Sequence, residues 1–205
     1  MSKPRELRRI TVFTGSRHGN SDAYVQAVEA FAHALTDHGY GAVFGGGNVG
    51  LMGVLADTVL AAGGEVTGIM PEALTTAEIP HPNLTTLEIV PNMHVRKERM
   101  ADLGDAFVAL PGGAGTLEEL FEAWTWQQLG IHEKPVALLN VAGFWDPLLA
   151  MIDHMAAQGF MRREFTEALI VETEPKALLA ALSTWQPPKH PWKDPPTNRT
   201  ELHSG

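Results

Sequence analysis

Apolar residues along the chain gather into short continuous runs separated by longer amphipathic stretches. Residues 9–13, 41–44, 65–70, 86–90, 106–110, 135–139 and 168–171 each read as a strand, about seven in all. Between them, over 21–38, 51–62, 93–103, 144–157 and 175–182, and from Leu117 through Leu120, Phe121 and Trp124, apolar positions recur at three- and four-residue steps. That is the period of a helix buried by one face. Asn20 or Ser21 suits the N-cap of the first helix, and Gly63-Gly64 closes the second. Strands of this kind alternating with helices predict an α/β fold: a Rossmann-like, doubly wound, mainly parallel sheet covered on both faces.

In such sheets ligands sit beyond the carboxyl ends of the strands. Three glycine-bearing turns fall there: Thr14-Gly15-Ser16, Gly45-Gly46-Gly47 and Gly112-Gly113. Residues 1–185 read as one domain. Residues 186–205 carry five prolines and little periodicity, and read as an irregular tail.

Composition narrows the chemistry. With 205 residues, 44% of them hydrophobic, the chain can bury a full core. The absence of cysteine excludes disulfides, thiolate metal ligands and a cysteine nucleophile. A net charge of −9, from 15 basic and 24 acidic residues, argues against bulk nucleic-acid binding, which needs a basic footprint. It leaves room for one small anion held by local positive potential. No signal-like segment leads into the first strand, and no apolar run reaches the roughly 20 residues of a membrane span. The expectation is a cytoplasmic protein with no membrane partner.

The most informative stretch is Pro111-Gly112-Gly113-Ala114-Gly115-Thr116-Leu117-Glu118-Glu119, between a buried strand and a helix. A glycine-rich turn at a helix start presents backbone N–H groups beside the positive end of the helix dipole, a site for a phosphate. Thr116 to Glu119 also spells a capping box with Thr116 as N-cap, although the preceding glycines exceed what a cap needs. Glu118 and Thr125, seven apart, share a helix face and are expected to line one pocket wall. In the helix before this loop, Arg96, Arg99 and Met100 lie along one side and Lys97 a quarter-turn away. Arg96 is expected to meet the ligand, in preference to Arg99.

Gly45-x-Gly47-x-x-Gly50 fits a dinucleotide fingerprint, with Glu72 at about the ribose-binding distance. It belongs to the second strand–helix unit, however, so a substrate-binding loop is the better reading. No Walker lysine, Gly-x-Ser-x-Gly elbow or His-Glu-x-x-His pattern occurs, and the nine histidines are scattered. Neither a metal site nor a cofactor is expected. His94 reads as a capping or pocket-edge residue. Of Trp124 and Trp126, on different helix faces, one is expected in the core and the other at a subunit contact.

Together these motifs resemble the LOG family of cytokinin-activating phosphoribohydrolases, from about residue 10 to residue 182. Pro111 to Glu119 is similar to the family's Pro-Gly-Gly-x-Gly-Thr-x-x-Glu signature, Met93, Arg96, Lys97 and Met100 to its second signature, and Gly45 to Gly53 to its glycine-rich segment. Arg17-His18 and Val95, at the pocket border, depart from the commonest family sequences. The resemblance implies hydrolysis of N6-modified adenosine 5′-monophosphates to free base and ribose 5-phosphate, with Arg96 and Glu119 catalytic. It implies nucleotide contacts from Gly15, Ser16, Gly46, Gly47, Glu78, Met93, Arg96, Lys97, Gly112, Gly113, Ala114, Gly115, Thr116, Leu117, Glu118 and Thr125, and a homodimer whose sites borrow residues from both subunits. The family's older lysine decarboxylase label finds no pyridoxal-type Ser-x-His-Lys site here. Rival readings are a broader purine or pyrimidine nucleoside 5′-monophosphate nucleosidase and a non-catalytic carrier of a nucleotide-like ligand.

Overall fold

The structure, a computed structural model, describes residues 6–76 and 79–189. Seven strands form one sheet: β1 (Arg9–Phe13), β2 (Gly41–Phe44), β3 (Val66–Pro71), β4 (Thr86–Val90), β5 (Ala106–Ala109), β6 (Val136–Leu139) and β7 (Ile170–Glu172). Their order is β4-β3-β2-β1-β5-β6-β7 and every pairing is parallel. The helices are α1 (Asp22–Asp37), α2 (Gly50–Ala61), α3 (Met93–Leu103), α4 (Ala114–Gln128), α5 (Asp146–Ala157), α6 (Arg163–Ala168) and α7 (Pro175–Thr184).

Alternation along the strands divides the core in two. Ile10, Val12, Phe44, Val108 and Leu139 pack with α1, α2 and α7, while Phe13, Val43, Ile69, Phe107 and Leu138 pack with α3, α4 and α5. A sheet sealed on both faces needs apolar strands throughout, which is why the runs read as continuous. The chain winds outward from the centre in both directions, so β1 and β5 are neighbours at the point where strand order reverses. A crevice opens there, beyond the strands' carboxyl ends.

Backbone contacts stitch that crevice together. Gly15 N–H donates to Pro111 O at 3.1 Å, and Thr14 Oγ1 to the same oxygen at 3.2 Å. Leu51 N–H donates to Gly15 O at 3.0 Å, so the β1 loop caps α2, whose N-cap Val49 makes no side-chain cap bond. Gly50 sits at φ +53 with the backbone of Ser16 and Arg17 where a Cβ would project, so glycine is required at this crossing.

Several elements differ from expectation, β7 among them: it begins at Ile170 rather than 168, because Ala168 closes α6. α5 starts at Asp146 rather than 144, because Val141–Gly143 forms a 3-10 turn with Ala142 at φ 49. Asn140 holds that turn, accepting from Trp145 N–H at 2.8 Å and donating to Asp146 Oδ1 at 2.7 Å. α6, a single short helix, has no counterpart in the sequence pattern; with Phe165 as its sole buried residue it shows no periodicity. Of the proline-rich segment, residues from 190 on lie outside the described residues. No helix among the described residues is long and apolar enough to cross a membrane.

Candidate functional site

A cleft of about 270 Å3 lies at the β1–β5 crevice, lined by Thr14, Ser16, Met52, Leu74, Met93, Arg96, Glu118, Glu119 and the start of α4. Its floor is made by the sequence already singled out. The expected capping box is not what forms, however. Gly113 is the N-cap, in extended conformation and without a side-chain cap bond, and Thr116 is the third helical residue, buried. The glycines place the helix start three residues earlier than Thr116 would. Among the described residues no side-chain cap bond closes this N-terminus, where the first helical amides and the positive end of the dipole meet the cleft.

Glu119, released from capping duty, pairs with Arg96: Oε1 lies 3.2 Å from Nη2, the two side chains 12% and 7% exposed. α3, on the same face of the sheet as α4, carries Arg96 to this point. Its N-cap is Asn92, accepting from Val95 N–H at 3.0 Å, so the helix begins where β4 ends and Arg96 falls one turn in. The guanidinium lies against Gly45, where a Cβ would collide with Nη2. Arg96 Nη1 also approaches Met93 Sδ at 3.7 Å. Nε is buried and has no hydrogen-bond partner among the described residues. An unpaired buried donor is costly, on the order of 1–3 kcal/mol, and in a group lining a cleft it marks unspent capacity for an acceptor.

Lys97 is not among the residues that line the cleft. Its Nζ lies 2.5 Å from Glu118 Oε1 and 3.0 Å from Glu122 Oε1, with the side chain 11% exposed. Burial works against its charge, but the hydrogen bonds to Glu118 and Glu122 outweigh it and hold the ammonium above the usual lysine range. Arg99 joins α3 to β4 through Glu88 at 2.7 and 3.1 Å. That hydrogen bond, opposed by partial burial, holds the Glu88 carboxyl below the usual range.

A second cavity of about 340 Å3 shares Ser16 and Gly113 with the first and adds Gly15, Arg17, His18, Tyr24, Leu51, Gly112 and Phe144. The expected site residues thus divide. Ser16, Met93, Arg96, Gly113, Ala114, Gly115, Thr116, Glu118 and Glu119 meet in the cleft, while Gly15 and Gly112 line its neighbour. Gly46 and Gly47 lie outside both cavities and hold residues 79–81 through His81 N–H to Gly46 O at 2.9 Å and a bridge from Gly47 to Pro80. Leu117 packs into the core beneath α4. Thr125 is exposed, two turns along α4, and does not line the cleft with Glu118 as expected. Glu72 is exposed on a 3-10 turn, away from the cleft. Glu78 lies outside the described residues. Trp124 is in the core, and Trp126 borders an outer cavity with His94 and the exposed Ile131. Among the described residues, no three His, Asp or Glu side chains gather as a metal centre requires.

Thr14 lines the cleft in the turn expected there, whereas Met52 and Leu74 as lining residues and Gly45 as the seat of Arg96 were not expected. Gly45 leads the glycine run and stood in plain view. The apolar lining residues follow only from the crossing of α2 and the β3 end over the cleft.

The chain is similar to several known proteins. A family model described as "Possible lysine decarboxylase" matches residues 52–182. A protein of Oryza sativa subsp. japonica named as a probable cytokinin riboside 5′-monophosphate phosphoribohydrolase is 49% identical over 162 residues, 79% of this chain and 73% of its own. The Rhodococcoides fascians cytokinin riboside 5′-monophosphate phosphoribohydrolase is 44% identical over 176 residues, 85% of this chain and 89% of its own. A molybdenum cofactor carrier protein from Chlamydomonas reinhardtii has the same fold, with a TM-score of 0.65 at 18% identity over 86% of this chain and 96% of its own. With identity of this extent along most of its length, the chain belongs to the LOG family of cytokinin riboside 5′-monophosphate phosphoribohydrolases.

Proposed function

We propose that this chain is a phosphoribohydrolase that cleaves the N-glycosidic bond of N6-modified adenosine 5′-monophosphates, releasing free base and ribose 5-phosphate. The observation that carries the proposal is the enclosed Arg96–Glu119 pair facing an uncapped, glycine-rich helix start across one cleft. In this reading the 5′-phosphate rests on amides of Gly113, Gly115 and Thr116, which fixes C1′ and turns binding energy into orientation. Cleavage of the C1′–N bond passes through an oxocarbenium-like ribose. Glu119 stabilises that charge and takes one proton of the water whose hydroxyl adds to C1′; a proton is passed on to the nitrogen of the departing base, so one water divides between the two products and the carboxylate is restored. Arg96 holds Glu119 in register and offers its spare donor to substrate. A carrier needs no such enclosed carboxylate, so the pair favours an enzyme over a binding protein.

A homodimer with shared sites belongs to the same proposal. Its support is the outer side of α3 and α4, where Trp126 and the exposed Leu129 and Ile131 offer apolar surface. A cytoplasmic setting is proposed too, in keeping with a cysteine-free composition.

The test is incubation of the purified protein with N6-isopentenyl-AMP and with AMP, followed by detection of free base. Faster release from the modified nucleotide is expected; equal release from several nucleotides favours the broader nucleosidase. Glu119→Gln is expected to abolish turnover and keep nucleotide binding. Turnover at the wild-type rate in that variant rules the assignment out.

A further inference from the structure

Beyond the cleft, one buried histidine organises the loop on which Arg96 rests. His81 is 3% exposed and has two ring partners. The backbone N–H of Asn83 donates to Nδ1 at 3.3 Å, and Nε2 lies 3.0 Å from Asp57 Oδ1 on α2. A backbone N–H can only donate, so Nδ1 is the acceptor, and the ring's proton sits on Nε2, directed at Asp57. Its main chain makes a third tie, His81 N–H to Gly46 O at 2.9 Å. Next to it Pro80 bridges Gly47 antiparallel, and Asn48 N–H donates to Ile79 O at 2.9 Å. Residues 79–81 thus form a strap lying along the loop of residues 45–48, pegged by the imidazole to α2.

That loop is the seat of Arg96, since the guanidinium occupies the space over Gly45. Among the described residues, the other polar contacts of the Arg96 head group are with two side chains, Glu119 and the Met93 sulfur. We infer that His81 is a positioning residue for the proposed reaction, acting through the strap and the Gly45–Gly46 backbone to hold Arg96 against Glu119. The inference rests on the proposed function for its kinetic consequence, and on geometry alone for the link itself.

In steady-state kinetics with the modified nucleotide, His81→Ala is expected to lower kcat tenfold or more with little change in KM, because a misplaced catalytic group costs turnover before binding. His81→Gln, which can present an amide N–H to Asp57, is expected to recover most of it. The decisive comparison repeats His81→Ala in an Arg96→Lys background. If His81 acts through Arg96, the second change adds little. The same fold-loss in both backgrounds overturns the inference and leaves His81 a stabilising residue only. Should His81→Ala fail to fold, Asp57→Ala removes the same peg from an exposed position (its side chain is 72% exposed). A readout without activity separates the two claims. Amide exchange at Asn48 is expected to quicken about tenfold in His81→Ala, and a crystal structure to show Arg96 drawn away from Glu119. If wild-type protein releases no base from any nucleotide, the proposed function falls, while unchanged exchange and an unmoved Arg96 overturn the strap.

Discussion

The guanidinium of Arg96 fills the space where residue 45 would carry a Cβ, so the two positions, 51 apart in sequence, fit together only while one is glycine. Gly45→Ala must push the guanidinium off its seat. The fold is expected to survive, at an overpacking cost of about 1–3 kcal/mol. Turnover is expected to fall by on the order of 10²-fold, the usual consequence of misplacing a catalytic group by about 1 Å. Parallel melting curves and kinetics check this; a variant with unchanged kcat shows that Arg96 has no fixed role in the step.

The Arg96–Glu119 pair is nearly enclosed, and removing one member takes a close opposite charge from the other. Arg96→Met is therefore expected to destabilise by about 3–5 kcal/mol, while replacing both members with apolar residues recovers much of it. Denaturant unfolding of the two single variants and the double variant reads the coupling directly. Additive single effects contradict a direct interaction.

Glu88 and Arg99 join β4, an edge strand, to α3. Because the Glu88 carboxyl is held below its usual range, its stabilising effect is present at pH values above the unfolded carboxylate range and is lost as pH falls through the folded value. Both side chains are about a third exposed or more, so solvent limits the effect to roughly 1 kcal/mol at most. Glu88→Gln is expected to flatten the acid limb of a stability–pH profile below about pH 4. An unchanged limb places the acid sensitivity elsewhere.

The fold was legible because an all-parallel sheet sealed on both faces leaves a strong trace, continuous apolar runs spaced by helices. The cleft was legible for a different reason. Turns at strand ends must converge where strand order reverses, so Gly15, Gly113 and the start of α4 could be grouped without contacts. What failed was local. Thr116 to Glu119 has the pattern of a capping box, but the glycines ahead of it let the helix begin earlier, and Arg96 claims Glu119. The direction of Lys97 was equally unreadable, because it depends on two carboxylates of another helix meeting α3 in space.

The resemblance makes Lys97 a nucleotide contact, whereas its ammonium lies between Glu118 and Glu122 and ties α3 to α4. The two roles predict different outcomes. As a tether, Lys97→Met leaves two neighbouring carboxylates without their shared cation, so stability is expected to drop. A double-mutant cycle with Glu122→Gln should then give a coupling of about 0.5–3 kcal/mol. Because the ammonium is held above the usual lysine range, its contribution is complete below that range and disappears only as pH climbs through the raised value, so the tether is intact at neutral pH. As a phosphate ligand, the same variant raises KM for nucleotide and weakens ribose 5-phosphate binding without a stability change. Melting curves set beside product-binding titrations separate the two. If KM rises and the midpoint stays fixed, Lys97 leaves Glu118 and Glu122 when substrate enters, and the clamp is a resting state of the unliganded cleft.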